Sequence, residues 1–267
     1  MWIFCGGMPR SGSTLQFQLT AHLVEHAGLG MRVEWVRPAE FPVLRAKYAA
    51  YAGWKVFKIH HFTPAIAAEF AAKNAKGVYI FRDVRDVIVS RMRKTGRSFD
   101  ALWTVGFLER VLDAFEGWTG LAEVLVSRYD AVVIDVAAEA ARIAAHLGLD
   151  VSRLECERVA EEYTVARQRE RIHEAIETGR LERAAEAYYD PVSNLHINHI
   201  RSGRSGEWRM ALSAEELAMV EDRAEEWLVA NGYPLTLWRW HRAWLKRRYT
   251  WRHRPMSPAM PFETPPR

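Results

Sequence analysis

Met8-Pro9-Arg10-Ser11-Gly12-Ser13-Thr14-Leu15 is the segment that decides the fold of this chain. It follows an apolar run at residues 2–5, and apolar residues recur at helical spacing after it. This order predicts a strand, a tight turn and a helix. The first backbone N–H groups of a helix have no partner within the helix and lie at the positive end of its dipole. We therefore predict a binding loop for phosphate or sulfate, with an ordinary strand-to-helix turn as the alternative.

Segments with strand and helix patterns alternate along the rest of the chain. We predict strands at residues 2–5, 32–36, 55–60, 77–81 and 129–134. Helices are predicted from residue 15, at 40–51, from 64, at 84–94, twice within 99–126, at 137–147, over most of 152–187 and at 213–230, with a loop at 190–207. The alternation predicts an α/β fold with a mostly parallel central sheet and helices on both faces. Ligands of such sheets bind beyond the carboxyl ends of the strands, so the residues after strands one, three and four are candidates.

Charge is distributed unevenly between the body of the chain and its end. Residues 237–267 hold eight Lys/Arg and one acid, a balance of +7, whereas the whole chain carries +4, so residues 1–236 carry about −3. This excludes a body that binds polyanions such as nucleic acid through bulk charge. We predict one domain at 1–236, a basic, Trp-rich C-terminal helix at 237–254 and an extended or disordered, proline-rich end at 255–267.

The basic helix allows two interpretations. In the first, Trp238, Trp240, Trp244 and Leu245 pack on the body while a basic face is solvated. In the second, the segment contacts a membrane surface or an acidic partner. The chain has two cysteines, no secretory signal pattern and no apolar stretch near the ~20 residues that cross a bilayer, so we expect a cytoplasmic protein.

A second candidate cluster is Lys58-Ile59-His60-His61, at the end of the third predicted strand. Side chains alternate along a strand, so Lys58 and His60 share one face. A base beside a cation can deprotonate an acceptor while the cation neutralises developing charge. The alternative is a strand end with two solvated histidines.

A third candidate cluster runs from Arg82 to Ser90, after the fourth predicted strand. Arg82 suits a two-pronged contact with phosphate, and Ser90 can add a hydroxyl. The carboxylates of Asp83 and Asp86 suit a helix cap and a first helical turn, so we predict that they hold no metal.

Together these residues resemble the sulfotransferases that use 3′-phosphoadenosine 5′-phosphosulfate (PAPS), over residues 2 to about 233. The segment from Pro9 to Leu15 resembles the 5′-phosphosulfate loop of that family, and Lys58-x-His60 resembles its Lys-x-His element. The remaining matches are Arg82-x-x-Arg85-Asp86-Val87-x-Val89-Ser90 for the 3′-phosphate motif, Tyr129-Asp130 for the adenine segment, and Arg201-Ser202-Gly203-x-x-Gly206-Glu207-Trp208 for the late element over the 3′-phosphate.

The resemblance implies a P-loop-like nucleotide-binding architecture and transfer of a sulfuryl group from PAPS to a hydroxyl, or secondarily an amine, of a small-molecule acceptor. It implies that His60 is the general base and that Arg10 and Lys58 stabilise the leaving phosphate, without a metal. The implied donor-binding set is Arg10, Ser11, Gly12, Ser13, Thr14, Leu15, Arg82, Ser90, Tyr129, Arg201, Ser202 and Gly203. The product would be adenosine 3′,5′-bisphosphate (PAP).

The sequence departs from the family pattern at three positions. Arg10 stands where many cytosolic members carry lysine, although the Pro-Arg-Ser-Gly form is common in other branches. Leu15 replaces a tryptophan that stacks on adenine, and Ser202 replaces a lysine, for which Arg204 is the candidate substitute. In branches with Pro-Arg-Ser-Gly the base can be a glutamate after the second strand, so Glu34 is the rival of His60.

Two other functions are compatible with parts of the pattern. A P-loop kinase would share the sheet and first loop, but Arg10-Ser11-Gly12 lacks the lysine that such loops carry. The other function is that of a non-catalytic interaction module on the same scaffold. An aromatic or apolar alcohol, with Trp103, Phe107, Tyr188 and Tyr189 as candidate walls, is the expected acceptor, followed by a sugar. The sequence predicts no oligomeric state.

Overall fold

The computed structural model describes residues 1–184, 187–191, 193–197 and 203–252, apart from the side chains of residues 34, 38, 184, 187, 251 and 252. Met1–Glu207 forms one compact unit, and a second unit begins at Trp208. The predicted end at 255–267 lies outside the described residues, and the predicted domain boundary at 236 stays a prediction. None of the helices described is both long enough and apolar enough to cross a bilayer.

The described part of the first unit contains a parallel sheet of five strands in the order β2-β3-β1-β4-β5. The strands are β1 (Trp2–Gly7), β2 (Gly30–Trp35), β3 (Trp54–Lys58), β4 (Ala75–Phe81) and β5 (Val124–Arg128). The chain leaves β1 towards β2 on one side and leaves β4 towards β5 on the other. The crevice of such a sheet therefore opens between the carboxyl ends of β1 and β4.

Helices cover both faces of this sheet. They are α1 (Ser13–His26), α2 (Phe41–Lys47), α3 (Pro64–Ala71), α4 (Val84–Thr95), α5 (Phe99–Thr104), α6 (Phe107–Thr119), α7 (Tyr129–Ile134), α8 (Val136–Leu147), α9 (Arg153–Glu162) and α10 (Val165–Glu177). The predicted α/β class and parallel sheet are confirmed.

Strand β1 is buried along its whole length, which explains its continuous apolar sequence. Ile3 and Cys5 pack on the face that α1, α8 and α9 cover. Phe4 points to the other face, where its ring lies 5.2 Å from Phe41 and 6.3 Å from Trp118. The two faces thus hold the loop after β1 between rigid layers.

The fifth strand was predicted in the wrong place. Residues 124–128 form β5, and residues 129–134, which we predicted as a strand, form α7. The Val-Val-Ile run of α7 has strand propensity, but its last residue, Ile134, is 84% exposed, as the end of a surface helix allows. The shift places Tyr129 directly after β5, at the carboxyl edge of the sheet.

The helical prediction for residues 152–187 is wrong beyond Glu177. Gly179 has a φ of +64°, and a small antiparallel sheet follows, made of β6 (Glu182–Ala184), β7 (Ala187–Asp190) and β8 (Leu195–His196). The buried carboxylate of Asp190 fixes the turn from β7 to β8, because it accepts hydrogen bonds from Ser193 N (3.1 Å) and Arg180 Nε (2.9 Å).

The second unit consists, in its described residues, of α11 (Trp208–Ala211), α12 (Ala214–Arg223), α13 (Glu225–Ala230) and α14 (Arg239–Arg252). The predicted capping box of Ser213 and Glu216 starts α12. Leu245 is buried as predicted, but Trp238, Trp240 and Trp244 are exposed, so the predicted packing of these tryptophans is wrong. The helical register turns Trp240 and Trp244 outward because Arg242, Leu245 and Tyr249 occupy the inner face of α14, and Trp238 precedes the helix.

Candidate active site

The loop between β1 and α1 has a backbone shape that only small or strained residues permit. Gly12 has a φ of +88° and Arg10 a φ of +70°. A Cβ atom at Gly12 would lie 2.9 Å from the ring of Tyr129, so this position requires glycine. The first turn of α1, Ser13 to Leu15, lines a large cavity. The N-terminus of a helix that lines a cavity is a position at which anions commonly bind.

Lys58 is joined to this loop from the end of β3. Its Nζ donates to Thr14 Oγ1 at 2.6 Å, and the side chain is buried. Burial, Lys94 and Arg10 lower the pKa of Lys58 to about 7. A lysine in this state gains a full charge most readily when an anion binds beside it.

His60 lies at the same edge of the sheet. Its Nδ1 donates to the carbonyl oxygen of Gly7 at 2.9 Å, which leaves Nε2 as the basic nitrogen. The backbone oxygen of His60 accepts a hydrogen bond from Trp118 Nε1 at 3.1 Å, so the position is held from both sides. Burial, and then the charge of Lys58, lower the pKa of His60 to about 3. The imidazole is therefore neutral across the physiological range.

Arg82 follows β4 and is 7% exposed. Its guanidinium lies over the ring of Tyr129 at 4.5 Å and forms an ion pair with Asp86 at 3.4 Å. Its Nη2 donates to the carbonyl of Arg204 at 2.6 Å, and its Nη1 donates to the carbonyl of Arg10 at 3.5 Å. The buried Nε has no hydrogen-bond partner among the described residues.

The side chain of Arg10 lies with Ser90 of α4, because its Nε donates to Ser90 Oγ at 3.0 Å. Burial, then Arg82 and Arg91, lower the pKa of Arg10 to about 10. Arg10 therefore belongs to the cationic group at the β4 end of the crevice. Lys58 is the cation next to His60.

Hydrogen bonds and an ion pair hold the segment 203–207 beside Arg82 and its neighbours. The carbonyl of Gly203 accepts a hydrogen bond from the Tyr129 hydroxyl at 3.1 Å, and Gly206 N donates to Asp86 Oδ2 at 2.7 Å. Glu207 forms an ion pair with Arg93 at 2.5 Å. The segment that contains Gly203 and Gly206 thus lies at Arg82, the residue that follows β4, as the order of the motifs in the sequence implies. Arg201 and Ser202 lie outside the described residues.

A cavity of about 1300 Å³ joins these groups. The predicted residues that line it are Arg10, Gly12, Ser13, Thr14, Leu15, Lys58, His60, Arg82, Ser90, Tyr129 and Gly203. Ser11 does not line it. The Ser11 hydroxyl donates to the carbonyls of Met8 (2.7 Å) and Ile80 (2.9 Å), so this side chain closes the loop onto β4. Glu34 belongs to β2, and its side chain is outside what the structure describes.

Two of the four expected aromatic walls line the cavity. Phe107 and Tyr189 do so, whereas Trp103 stacks on Phe99 at 5.5 Å and Tyr188 is half exposed. The two tyrosines differ because they are neighbours on β7, so their side chains point to opposite sides of the strand.

Several residues that line the cavity were not found from the sequence, among them Arg91, Lys94 and His196. Lys94 follows Ser90 by four residues on α4, so helical geometry offered a signal for it, whereas Arg91, the residue after Ser90, carried none. His196 on β8 carried no such signal. Burial, then Lys94 and Lys58, lower the pKa of His196 to about 4.

Asp83 and Asp86 have structural partners. Asp83 caps α4 through Arg85 N at 3.0 Å and pairs with the Arg85 guanidinium at 2.8 Å. Asp86 holds Arg82 and Gly206, as described above. In the described part of the chain, histidine, cysteine and acidic residues form no group of three that could hold a metal ion.

Comparison with known proteins gives a family match and a fold match. A family model described as "Sulfotransferase domain" matches residues 3–232. No curated protein sequence matches the chain. Because the family model matches most of the chain, the match shows the family from the sequence alone.

Two solved structures share the fold at low identity. Retinol dehydratase in complex with androsterone and the inactive cofactor PAP has a TM-score of 0.60 and 18% identity, over 85% of this chain and 80% of that chain. Mouse sulfotransferase SULT7A1 complexed with PAP has a TM-score of 0.59 and 17% identity, over 92% of this chain and 88% of that chain. At this identity the likeness shows the arrangement of strands and helices.

Proposed function

Since this chain belongs to the sulfotransferase domain family, we propose that it transfers the sulfuryl group of PAPS to a hydroxyl group of a small-molecule acceptor. An amine is the secondary acceptor, and PAP is the product. Both neighbours named above are complexed with PAP, which supports PAPS as the donor. The observation that carries the proposal is one cavity on which Lys58, His60 and Arg82 all open.

The charges of the cavity fit an anionic nucleotide. Burial and neighbouring cations lower the pKa values of Arg10 to about 10 and of Lys58 to about 7. The cations therefore repel one another in the free protein. A bound group with several negative charges would relieve this repulsion and raise both pKa values. The buried Nε of Arg82, which has no partner among the residues that the structure describes, points to the same need for an acceptor oxygen.

Arg82, Arg10 and Ser90 would hold the 3′-phosphate. The guanidiniums offer charged donors in a planar fork, and Ser90 Oγ already lies 3.0 Å from Arg10 Nε. The backbone of Gly203 closes this end through Tyr129. Recognition of a 3′-phosphate here distinguishes PAPS from ATP, which has none. Arg201 is proposed to bind the 3′-phosphate as well.

The amides of Ser13 to Leu15, with the hydroxyls of Ser13 and Thr14, would orient the 5′-phosphate. Lys58 is fixed to this turn by its bond to Thr14, and it would neutralise charge that grows on the oxygen between sulfur and the leaving phosphate. The fixed cations of the cavity supply the positive charge, so the proposal requires no metal.

His60 would accept the proton of the acceptor hydroxyl at Nε2 while the oxygen attacks sulfur in line. Its Nδ1–H is committed to Gly7, so one tautomer is available to the reaction. A pKa of about 3 makes His60 a weak base in the free protein. Because Lys58 contributes to that low value, an anion bound at Lys58 would raise the basicity of His60. Donor binding thus prepares the base.

An acceptor that combines an aromatic or sugar hydroxyl with an acidic group would complement the residues that line the cavity. Phe107 and Tyr189 supply aromatic surface. The positive charge of Lys94 contributes to the lowered pKa values of both His60 and His196. This charge is therefore felt at the proposed base as well as at the proposed nucleotide site. A carboxylate or sulfate on the acceptor would complement this charge.

A ligand panel in thermal unfolding tests the function. PAP should raise the unfolding midpoint of the protein, whereas ATP with Mg²⁺ should raise it much less. A larger effect of ATP with Mg²⁺ would support a P-loop kinase, and no effect of either would support a non-catalytic module. A screen of phenols, alcohols and hydroxy acids with ³⁵S-labelled PAPS then identifies the acceptor.

A further inference from the structure

The outward side of α14 exposes tryptophan where a soluble helix normally exposes polar residues. Trp240 is 73% exposed and Trp244 51%. Trp238, which precedes the helix, is 78% exposed. On the inward side Arg242 is 1% exposed and Leu245 3%. The helix therefore buries an arginine and presents its indoles to the surroundings. Exposed aromatic surface of this kind marks a place where something else binds.

Contacts on the inward side fix this orientation. Arg242 Nη2 pairs with Glu225 at 2.8 Å, and its Nη1 donates to the carbonyl of Glu221 at 3.0 Å. Lys246 pairs with Asp222. Rotating the indoles inward would break these ion pairs and leave the buried charge of Arg242 without its partners. The free energy lost in this way exceeds the free energy that burying the indoles would gain.

The exposed tryptophans lie among cations. We name the set Arg239, Trp240, Trp244 and Arg247 the Trp–Arg face; Arg239 and Arg247 are also exposed. The ring of His241 lies between Trp240 (5.4 Å) and Trp244 (6.0 Å), and the Arg248 guanidinium lies 4.8 Å over Trp244. Residues 237–252 contain six Lys/Arg and no acid. The face is therefore both aromatic and basic.

We propose that the Trp–Arg face docks the protein on an anionic membrane surface. Indole rings favour the boundary between headgroups and acyl chains, because their bodies are apolar and their N–H groups are polar. Arg239 and Arg247 would contact lipid phosphates at the same depth. The helix would lie in the plane of the surface, as amphipathic helices do. This role is independent of the proposed transfer reaction.

A second copy of the chain fits the face less well. A two-fold contact would place each face against its own duplicate, so Arg239 and Arg247 would meet like charges. A lipid surface supplies the complementary negative charge without any such constraint.

Co-sedimentation of the full-length protein with vesicles tests the proposal. We expect binding to vesicles of equal parts phosphatidylcholine and phosphatidylglycerol that is about tenfold stronger than binding to phosphatidylcholine alone, and that weakens with added salt. The double variant Trp240→Ser/Trp244→Ser should lower the partition by about tenfold or more. Because both indoles are exposed, its circular dichroism and its thermal shift with PAP should match those of the wild type.

The matched control is Ile134→Ser, which removes an equally exposed apolar side chain from α7. It should bind the mixed vesicles like the wild type. The proposal is overturned if the wild type does not sediment with the mixed vesicles, or if the double variant binds them equally well. It is also overturned if the wild type is a dimer in size-exclusion chromatography that the double variant dissociates, since the occupant would then be a second copy.

Discussion

The Nδ1 atom of His60 lies 2.9 Å from the carbonyl oxygen of Gly7, the last residue of β1. This bond joins the proposed base to the strand that leads into the anion loop. It also selects the tautomer with a basic Nε2. A displacement of the loop would therefore also displace the proposed base.

The first prediction concerns the 3′-phosphate. Arg82→Lys keeps the charge that pairs with Asp86 but removes the planar fork, so PAP affinity should fall by about 1.5–3 kcal/mol, the value for hydrogen bonds to charged groups. Titration calorimetry measures this loss. Arg97→Lys, at an exposed position, should leave affinity unchanged. Equal affinities for wild type and Arg82→Lys would remove Arg82 from the phosphate site.

The second prediction concerns stability. The pKa of Lys58 is about 7 in the folded protein and 10.5 as its ordinary value, so the buried charge destabilises the fold fully below pH 7. This cost fades between pH 7 and 10.5, where the unfolded state holds more protons. Lys58→Met should therefore be more stable than the wild type below pH 7, and the difference should shrink as pH rises. Denaturant unfolding across this range measures it, and a wild type that is more stable below pH 7 would contradict the assignment.

The third prediction is proton uptake on donor binding. Above pH 7 Lys58 is largely neutral in the free protein, and a bound phosphate would raise its pKa and make it take up a proton. The calorimetric enthalpy of PAP binding should then depend on the ionisation enthalpy of the buffer. The Lys58→Met variant should lose most of this dependence. An enthalpy that is the same in all buffers for the wild type would show that Lys58 does not face the anion.

The fourth prediction concerns the acceptor. If Lys94 attracts an acidic acceptor, 4-hydroxybenzoate should be sulfated with a lower KM than its methyl ester. Lys94→Gln should reduce this preference by roughly tenfold, since it removes one charge pair. PAP affinity serves as the control, because it separates an acceptor effect from a donor effect. A preference for the ester in the wild type would restore the apolar acceptor expected from the sequence.

The sequence predicted which residues line a common cavity better than it predicted element boundaries. The anion loop, Lys58, His60, Arg82 and Ser90 could be placed because each follows a strand, and parallel strands end at one edge of the sheet. Their common cavity was therefore implied by topology. The tautomer of His60 was not predictable, because it depends on a carbonyl 53 residues away.

The errors have physical causes. The Val-Val-Ile run in α7 has the composition of a strand, and only pairing of β5 with β4 shows that residues 124–128 form it. The tryptophans of α14 were expected inside because aromatic residues usually are. The decisive contact is the ion pair of Arg242 with Glu225, and sequence patterns do not reveal that partner.

Single-turnover transfer of ³⁵S from PAPS by His60→Ala tests the central claim most directly, with the acceptor found in the screen. The account predicts that the rate falls by about 10²–10⁴, the usual contribution of one acid–base group, while PAP affinity changes by only a few fold. His173→Ala, at an exposed position on α10, is the matched control. A rate for His60→Ala within a few fold of the wild type would contradict the account and make Glu34 the candidate base.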